Sequence, residues 1–284
     1  MTLNITPVAR WLMGMSSDFR LTRNGTPVSD CAAKQAVLHN AGWSGLLCYN
    51  GVAQYGSHDT AAWLEDILQH EWGARQTPEQ IVDLLINEGS VWLRKIPKAH
   101  RWHTFTLVTY EGGNPFVYVI SNYERPGQPN LATPADALFR RRIKPRGPRC
   151  IVTGQAQAVS EAKRKGLEEV LATMPPSPEN LRAAIAQANR EAAPLAQANT
   201  VSEACVVAYM SPDGSGQMNV CGDQQGEFSP PLILSGQPLA DQMRAALAQM
   251  GAVGPHSVDG IGWPANRPNG PLLGAMSVSY RPAQ

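Results

Sequence analysis

Thr2 is the residue of this sequence whose type and place suggest chemistry first. Once Met1 is removed, one residue holds a hydroxyl and a free α-amine side by side. A threonine hydroxyl is a poor nucleophile until a base takes its proton. An α-amine with a pKa near ~8 can take it at neutral pH, directly or through a water. The pair would attack a carbonyl carbon, which is acyl-transfer chemistry. Threonine in second place is small enough for methionine aminopeptidase to act, so a mature chain starting at Thr2 is expected.

Other clusters promise less. Arg140, Arg141, Arg142, Lys144, Arg146 and Arg149 fall in one stretch without an acid, "FRRRIKPRGPRC". Such a stretch attracts phosphates. It has no interleaved aromatic residues and no nucleic-acid fold motif, so a solvated loop or subunit contact is the expectation and nucleic acid is not. His100 and His103 lack the partners of a metal site, and no metal or cofactor is expected. "VTGQAQ" and "DGSGQ" lack the Lys-Ser/Thr ending of a phosphate loop. Cys31, Cys48, Cys150, Cys205 and Cys221 are odd in number with no CxxC, as expected of reduced thiols in a cytoplasm.

Composition sets wide bounds. The chain has 284 residues, 43% hydrophobic and 17% charged, with a formal net charge of +1. No global field draws it to nucleic acid or membrane. No apolar run approaches the ~18 residues of a spanning helix. A basic patch followed by an apolar run is lacking at the N-terminus, so no signal peptide is expected.

The elements that must position Thr2 can be read in order. "WLMGMSSDFRLT" and "WSGLLCYNG" are strand-like, with "RNGTP" as a turn. A helix capped by Ser57 or Asp59 carries Ala62, Leu64, Ile67 and Leu68 on one stripe. The next starts at Thr77-Pro78-Glu79-Gln80, a capping box with Pro in the first turn. "TFTLVTY" and "PFVYVIS" flank Glu111-Gly112-Gly113-Asn114 as a hairpin. "RCIVTG" is a strand. Helices come next in "AQAVSEAKRKGLEEVLATM" and "PENLRAAIAQANREAAPLA". "ACVVAYM" and "QMNVC" form a last hairpin, and "PLADQMRAALAQM" a closing helix. The order of strands and helix pairs predicts an α+β fold, a four-layer αββα sandwich of two antiparallel sheets, because each apolar sheet face needs a cover. The domain would span 1–250. Residues 251–284 are rich in Gly and Pro and read as an arm ending in a strand.

On these residues the chain resembles the proteasome β-type family of N-terminal nucleophile hydrolases. In that family the first mature residue is the Thr nucleophile. An Asp lies sixteen residues on, an Arg two beyond it, and a Lys thirty-two after the Thr. Here those places hold Thr2, Asp18, Arg20 and Lys34 without a gap. The resemblance implies that Lys34 lowers the pKa of the Thr2 amine, that Asp18 holds Lys34 charged, and that Arg20 braces the turn. It implies Gly51 as a backbone donor to the oxyanion. Thr153 would stand for a serine whose hydroxyl contacts the terminal amine, and Ser202 for a serine ahead of the family's penultimate strand. Asn199 stands where the family has an Asp, a departure that bears on the tuning of the amine.

The same resemblance implies peptide-bond hydrolysis through an acyl ester on Thr2, with peptide or protein substrates. A homo-oligomeric ring or barrel with inward-facing sites is also implied, and a regulatory partner of unknown kind. Two other readings stay open: a catalytically silent assembly or binding module, and an amidase for a small metabolite.

Overall fold

Two runs near the N-terminus, Leu3–Val8 (β1) and Met13–Asp18 (β2), pair antiparallel and are buried along their whole length. A strand with one face in water would alternate; unbroken burial places this hairpin between two covering layers. The structure, a computed structural model, describes residues 2–23, 26–30, 32, 34–40, 42–72, 77–223, 232–234, 237–238, 256–263 and 277–282. The first expected strand breaks at Phe19-Arg20. After the break Leu21–Arg23 (β3) and Thr26–Ser29 (β4) make a small separate hairpin.

Gln35–Asn40 (β5), which the sequence pattern does not mark as a strand, pairs with Trp43–Gly51 (β6). A short pair, Gln54–Tyr55 (β7) and His58–Asp59 (β8), leads into the helices Thr60–Trp72 (α1) and Pro78–Leu93 (α2). Asp59 is the cap of α1, since its carboxylate accepts from the N–H groups of Ala61 and Ala62. The Thr77–Gln80 capping box of α2 is present in both directions.

His103–Glu111 (β9) and Asn114–Ser121 (β10) form the expected hairpin across Gly112-Gly113. Phe139–Ile143 (β11) and Arg149–Gly154 (β12) come next, then Glu161–Ala172 (α3) and Pro178–Ala192 (α4). Helix α3 starts later than expected, because Ser160 accepts the Lys163 N–H and caps it. Cys205–Met210 (β13) and Gly216–Cys221 (β14) pair as expected. Leu232–Leu234 (β15), Gln237–Pro238 (β16), His256–Trp263 (β17) and Ser277–Pro282 (β18) complete the described elements. Most of the expected closing helix lies outside the described residues.

The described residues form a mixed α+β fold with four helices. One seven-stranded sheet has the order β12-β1-β2-β13-β14-β17-β18, the other β11-β10-β9-β6-β5-β15-β16. The second departs from the antiparallel expectation, because β15 runs parallel to β5. The segment expected to be an arm supplies β17 and β18 to the first sheet, where β17 pairs with β14.

Three apolar clusters separate the layers. One joins Leu64, Leu68, Leu85 and Trp92 of α1 and α2 to Leu47, Phe105 and Tyr118 of the second sheet. Another lies between the sheets, with Met13, Met15 and Val206 facing Leu46, Val108 and Val119. The third joins Leu167, Leu181 and Ile185 of α3 and α4 to Leu3, Ile5 and Val207.

The basic stretch differs from expectation. A solvated loop or subunit contact is expected there, yet its first part is the edge strand β11. Arg140 pairs with Asp83 of α2, and Arg142 lies 4.0 Å above the Phe116 ring and pairs with Glu79 and Glu111. Charged residues on an edge strand discourage pairing with another chain.

Within the first cluster His103 is fully buried, with Phe105, Trp92 and Tyr49 rings at 4.4, 5.2 and 6.0 Å. Neither ring nitrogen has a hydrogen-bond partner among the described residues. Burial pushes its pKa down to about 3 from an ordinary 6.5. Between those values the unfolded chain binds the extra proton. Stability is therefore full above the ordinary value and falls on acidification by about 1.4 kcal/mol per pH unit. His103→Phe removes that titration. Urea unfolding at about pH 7 and about pH 4.5 should show the variant losing about 2–3 kcal/mol less than the wild type.

Candidate active site

Asp18 ends β2, the strand of the first sheet that lies between β1 and β13. The antiparallel register sets Asn4 against Ser17, so the next position brings Asp18 to the start of β1. Its Oδ2 accepts the Leu3 N–H at 3.0 Å, across the peptide bond from Thr2. Its Oδ1 accepts from the Arg20 N–H at 2.8 Å, Lys34 Nζ at 3.1 Å and the Ser202 N–H at 3.4 Å. Four donors thus surround one carboxylate, and the side chains of Asp18 and Lys34 are both 0% exposed. Lys34 Nζ also donates to the Arg20 carbonyl at 2.7 Å. Burial lowers the Lys34 pKa, and the charge of Asp18 opposes that shift.

Arg20 sits one layer out. Its guanidinium grips both carboxylate oxygens of Asp30, at 2.8 and 2.7 Å, and its Nη1 donates to the Asn199 side chain and to the Val201 carbonyl. Asn199 therefore supplies an acceptor to Arg20. Ser202 accepts the Phe19 N–H at 2.9 Å and donates to the Ala204 carbonyl at 2.7 Å. Its hydroxyl fixes the chain after Asp18, while its N–H reaches the carboxylate.

Thr2 is buried, 5% exposed. Its carbonyl accepts the Gln155 N–H at 3.1 Å. Gly154, at φ +81°, packs so closely that a Cβ there would lie 1.8 Å from the Thr2 oxygen, so the position requires glycine. Thr153 lies beside it, but its hydroxyl meets Thr106 Oγ1 at 3.1 Å and Asn4 Nδ2 at 3.4 Å, on the side of the second sheet. Gly51 ends β6 at φ +101°, where a Cβ would lie 2.0 Å from the Trp102 carbonyl. The Tyr49 N–H donates to the Lys34 carbonyl at 3.1 Å, which ties this strand end to the lysine.

Asp18, Arg20, Lys34 and Ser202 are thus one bonded group, with Thr2 joined to it through Leu3. Gly51 and Thr153 stand on the neighbouring strands. A cleft of about 860 Å³ is lined by Gly51 together with Leu21, Thr22, His58, Asp59 and Trp102. Of the seven expected residues it takes in Gly51, and Thr2 does not line it.

Sequence reasoning missed Asp30, Asn50, Tyr123, Glu124 and Gln155. Asn50 stands before Gly51, and Gln155 follows Thr153-Gly154 in "VTGQAQ"; Asp30, Tyr123 and Glu124 belong to no motif. Burial pushes the thiols of Cys48, Cys150 and Cys205 up, that of Cys150 to about 12, which makes them poor nucleophiles. Cys31 lies outside the described residues. No group of three or more His, Cys, Asp or Glu among the described residues could hold a metal ion, and no helix among them is long and apolar enough to cross a membrane.

No protein-family model matches the chain, and no curated protein matches it in sequence. The functional reading therefore rests on the resemblance carried by its motif residues and on their geometry.

The ion pair makes a stability prediction. Lys34→Ala leaves Asp18 buried without a cation and should cost about 3–5 kcal/mol. Asp18→Asn/Lys34→Met removes both charges at similar volume and should recover much of that loss. Chemical denaturation of both variants and the wild type measures the difference.

Proposed function

We propose that this chain is an amide-bond hydrolase of the N-terminal nucleophile class, similar to proteasome β subunits, with Thr2 as nucleophile after Met1 is removed. The observation that carries this reading is the fully buried Asp18–Lys34 pair, whose carboxylate is bonded to the Leu3 N–H. An ion pair of that cost beside a threonine is well suited to setting the state of a neighbouring amine. On this reading the layered α+β arrangement is the N-terminal nucleophile hydrolase fold.

The steps follow from the groups. The Thr2 α-amine takes the Oγ proton, and Oγ attacks the substrate carbonyl carbon. The positive charge of Lys34 lowers the amine pKa and keeps the amine neutral at working pH. The Gly51 N–H stabilises the oxyanion. Collapse breaks the C–N bond, and the leaving amine takes the proton from the Thr2 ammonium. Water, deprotonated by the same amine, then hydrolyses the ester and restores Thr2. Arg20, Ser202 and Asn199 hold the Asp18–Lys34 group, and Thr153 supports the strand beside Thr2. Peptides or proteins are the proposed substrates, with chains assembled in a cytoplasmic ring whose sites face inward.

A second reading draws on the burial of Thr2 and its absence from the large cleft. A closed site would suit a small-molecule amide, or a silent binding module.

An α′,β′-epoxyketone peptide distinguishes them. Its ring closure consumes a hydroxyl and an adjacent free amine, which internal Ser and Thr lack. Intact mass should show Met1 absent and one inhibitor added per chain, mapped to Thr2. Thr2→Ser should label and Thr2→Ala should not. Lys34→Ala should slow labelling by about 100-fold or more. The rate should fall as pH drops below the amine pKa, because the protonated amine cannot act as base. Retained Met1, or labelling that survives in Thr2→Ala, would overturn the mechanism. Folded, processed protein that resists the probe would favour the second reading.

A further inference from the structure

The strongest feature outside the Asp18–Lys34 group is a second buried carboxylate on the opposite side of Thr2. Glu124 lies just after β10 in a bend held by Ser121 Oγ, which accepts the N–H groups of Tyr123 at 3.1 Å and Glu124 at 2.8 Å. The side chain points inward, and the residue is 5% exposed. Its Oε1 accepts the Gly154 N–H at 2.8 Å, and its Oε2 accepts Asn50 Nδ2 at 3.5 Å. Asn50 is fully buried, and its Oδ1 accepts the Tyr123 hydroxyl at 3.2 Å. Thr104 on β9 supplies a further hydrogen bond to the carboxylate.

The two groups that Glu124 holds are each one residue from a part of the proposed machinery. Gly154 precedes Gln155, whose N–H binds the Thr2 carbonyl. Asn50 precedes Gly51, the proposed oxyanion donor. Gly154 belongs to the first sheet and Asn50 to the second. One carboxylate therefore bridges the sheets where the nucleophile and the oxyanion donor must keep a fixed separation. The hydrogen bonds that reach it come from neutral groups: the Gly154 amide, Asn50 and Thr104. The neighbouring titratable groups, Tyr123 on its own segment and Cys48 on β6, are both pushed up by burial and stay neutral near pH 7. Burial raises the Glu124 pKa, so a carboxyl at this place, with no cation among the hydrogen-bonding groups named, is costly to ionise.

We infer that Glu124 is a positioning residue, which fixes Gly51 relative to Thr2 by holding Asn50 and Gly154 together. This rests on the reading of Thr2 as nucleophile. The effect runs through hydrogen bonds, so glutamine should serve. The amide introduced by Glu124→Gln would keep an acceptor for the Gly154 N–H, and a turned Asn50 amide could accept from its Nε2. Alanine leaves both partners unsatisfied. A misplaced oxyanion donor weakens the transition state more than the bound substrate, so kcat should fall while KM holds.

The test uses the full-length protein with Met1 removed, a fluorogenic peptide amide and the epoxyketone probe. Wild-type labelling at Thr2 comes first, since its absence would sink the underlying reading and not this inference in particular. Given labelling, Glu124→Ala should lose about 100-fold in kcat with KM within about threefold, and Glu124→Gln should stay within about tenfold of wild type. Tyr123→Phe, which frees one acceptor of Asn50, should fall between them. Amide hydrogen exchange at Gly154 should rise in Glu124→Ala and not in Glu124→Gln, a readout that needs no turnover, and unchanged protection of the amides of β9 and β13 shows that the alanine variant folds. If Glu124→Gln is as impaired as Glu124→Ala, the charge matters and positioning is wrong. A folded Glu124→Ala with unchanged kcat, or with loss confined to KM, equally overturns the inference.

Discussion

Taking both Asp18 and Lys34 out of water sets the terms for the rest of this molecule. Each buried ion carries a penalty of several kcal/mol, which mutual attraction offsets only with good geometry and further hydrogen bonds. The further bonds come from far apart in the chain. Leu3 on β1, Arg20 after β2, Lys34 before β5 and Ser202 before β13 all converge on one carboxylate. The β1–β2 hairpin, the approach of β5 and the loop into β13 must all be in place before the pair is satisfied. A fold that needed only stability would do as well or better with apolar residues there. Retaining the charges beside Thr2 makes sense where the charges have a task.

Arg20 shows how such a centre is kept in register. Its backbone contributes in both directions, with an N–H to Asp18 and a carbonyl to Lys34. A shift of this one residue would disturb both ions. Its side chain prevents the shift by gripping Asp30 and the chain around Asn199. Ala198 and Asn199 sit in the left-handed region, φ 53° and 51°, which costs energy for a residue with a Cβ and less for asparagine. Asparagine there suits both the backbone and the guanidinium. A partly exposed ion pair such as Arg20–Asp30 adds little to stability by itself, so its value lies in fixing position.

The layout was legible where local chemistry sets it. The Thr77 capping box, the Gly112-Gly113 hairpin and the apolar runs of β6, β9 and β13 follow from residue types a few positions apart. Strand β5 was lost because Lys34, Gln35, His39 and Asn40 make it look polar, although burial between layers and pairing with β6 decide its state. Strand β11 hid behind its arginines, whose charges are answered by Asp83, Glu79 and Glu111 far away in sequence. Asp18, Arg20, Lys34 and Ser202 could be listed in advance only through resemblance to a family. That they form one bonded group could not be read from spacing, since Ser202 reaches Asp18 across 184 residues. Glu124 carried no signal, because a glutamate after a strand normally faces water.

Two carboxylates thus flank Thr2 in opposite electrostatic settings. Asp18 is bound by Lys34 Nζ and three backbone N–H groups. Among the described residues Glu124 is bound by neutral donors, and burial raises its pKa against the hydrogen bonds that lower it. Asp18 suits the pairing of a buried lysine, since it meets Lys34 Nζ and ties that group to the Leu3 N–H. Glu124 suits the task that needs acceptors in fixed places, tying the ends of two strands from different sheets. Exchanging the two settings would fail on both sides. A neutral acid at Asp18 would leave Lys34 without its counter-ion, and an ammonium brought up to Glu124 would turn a hydrogen-bonded bridge into a competing field at the same threonine. The separation is possible because Thr2 sits where the sheets meet, with β1 and β12 on one side and the end of β6 on the other.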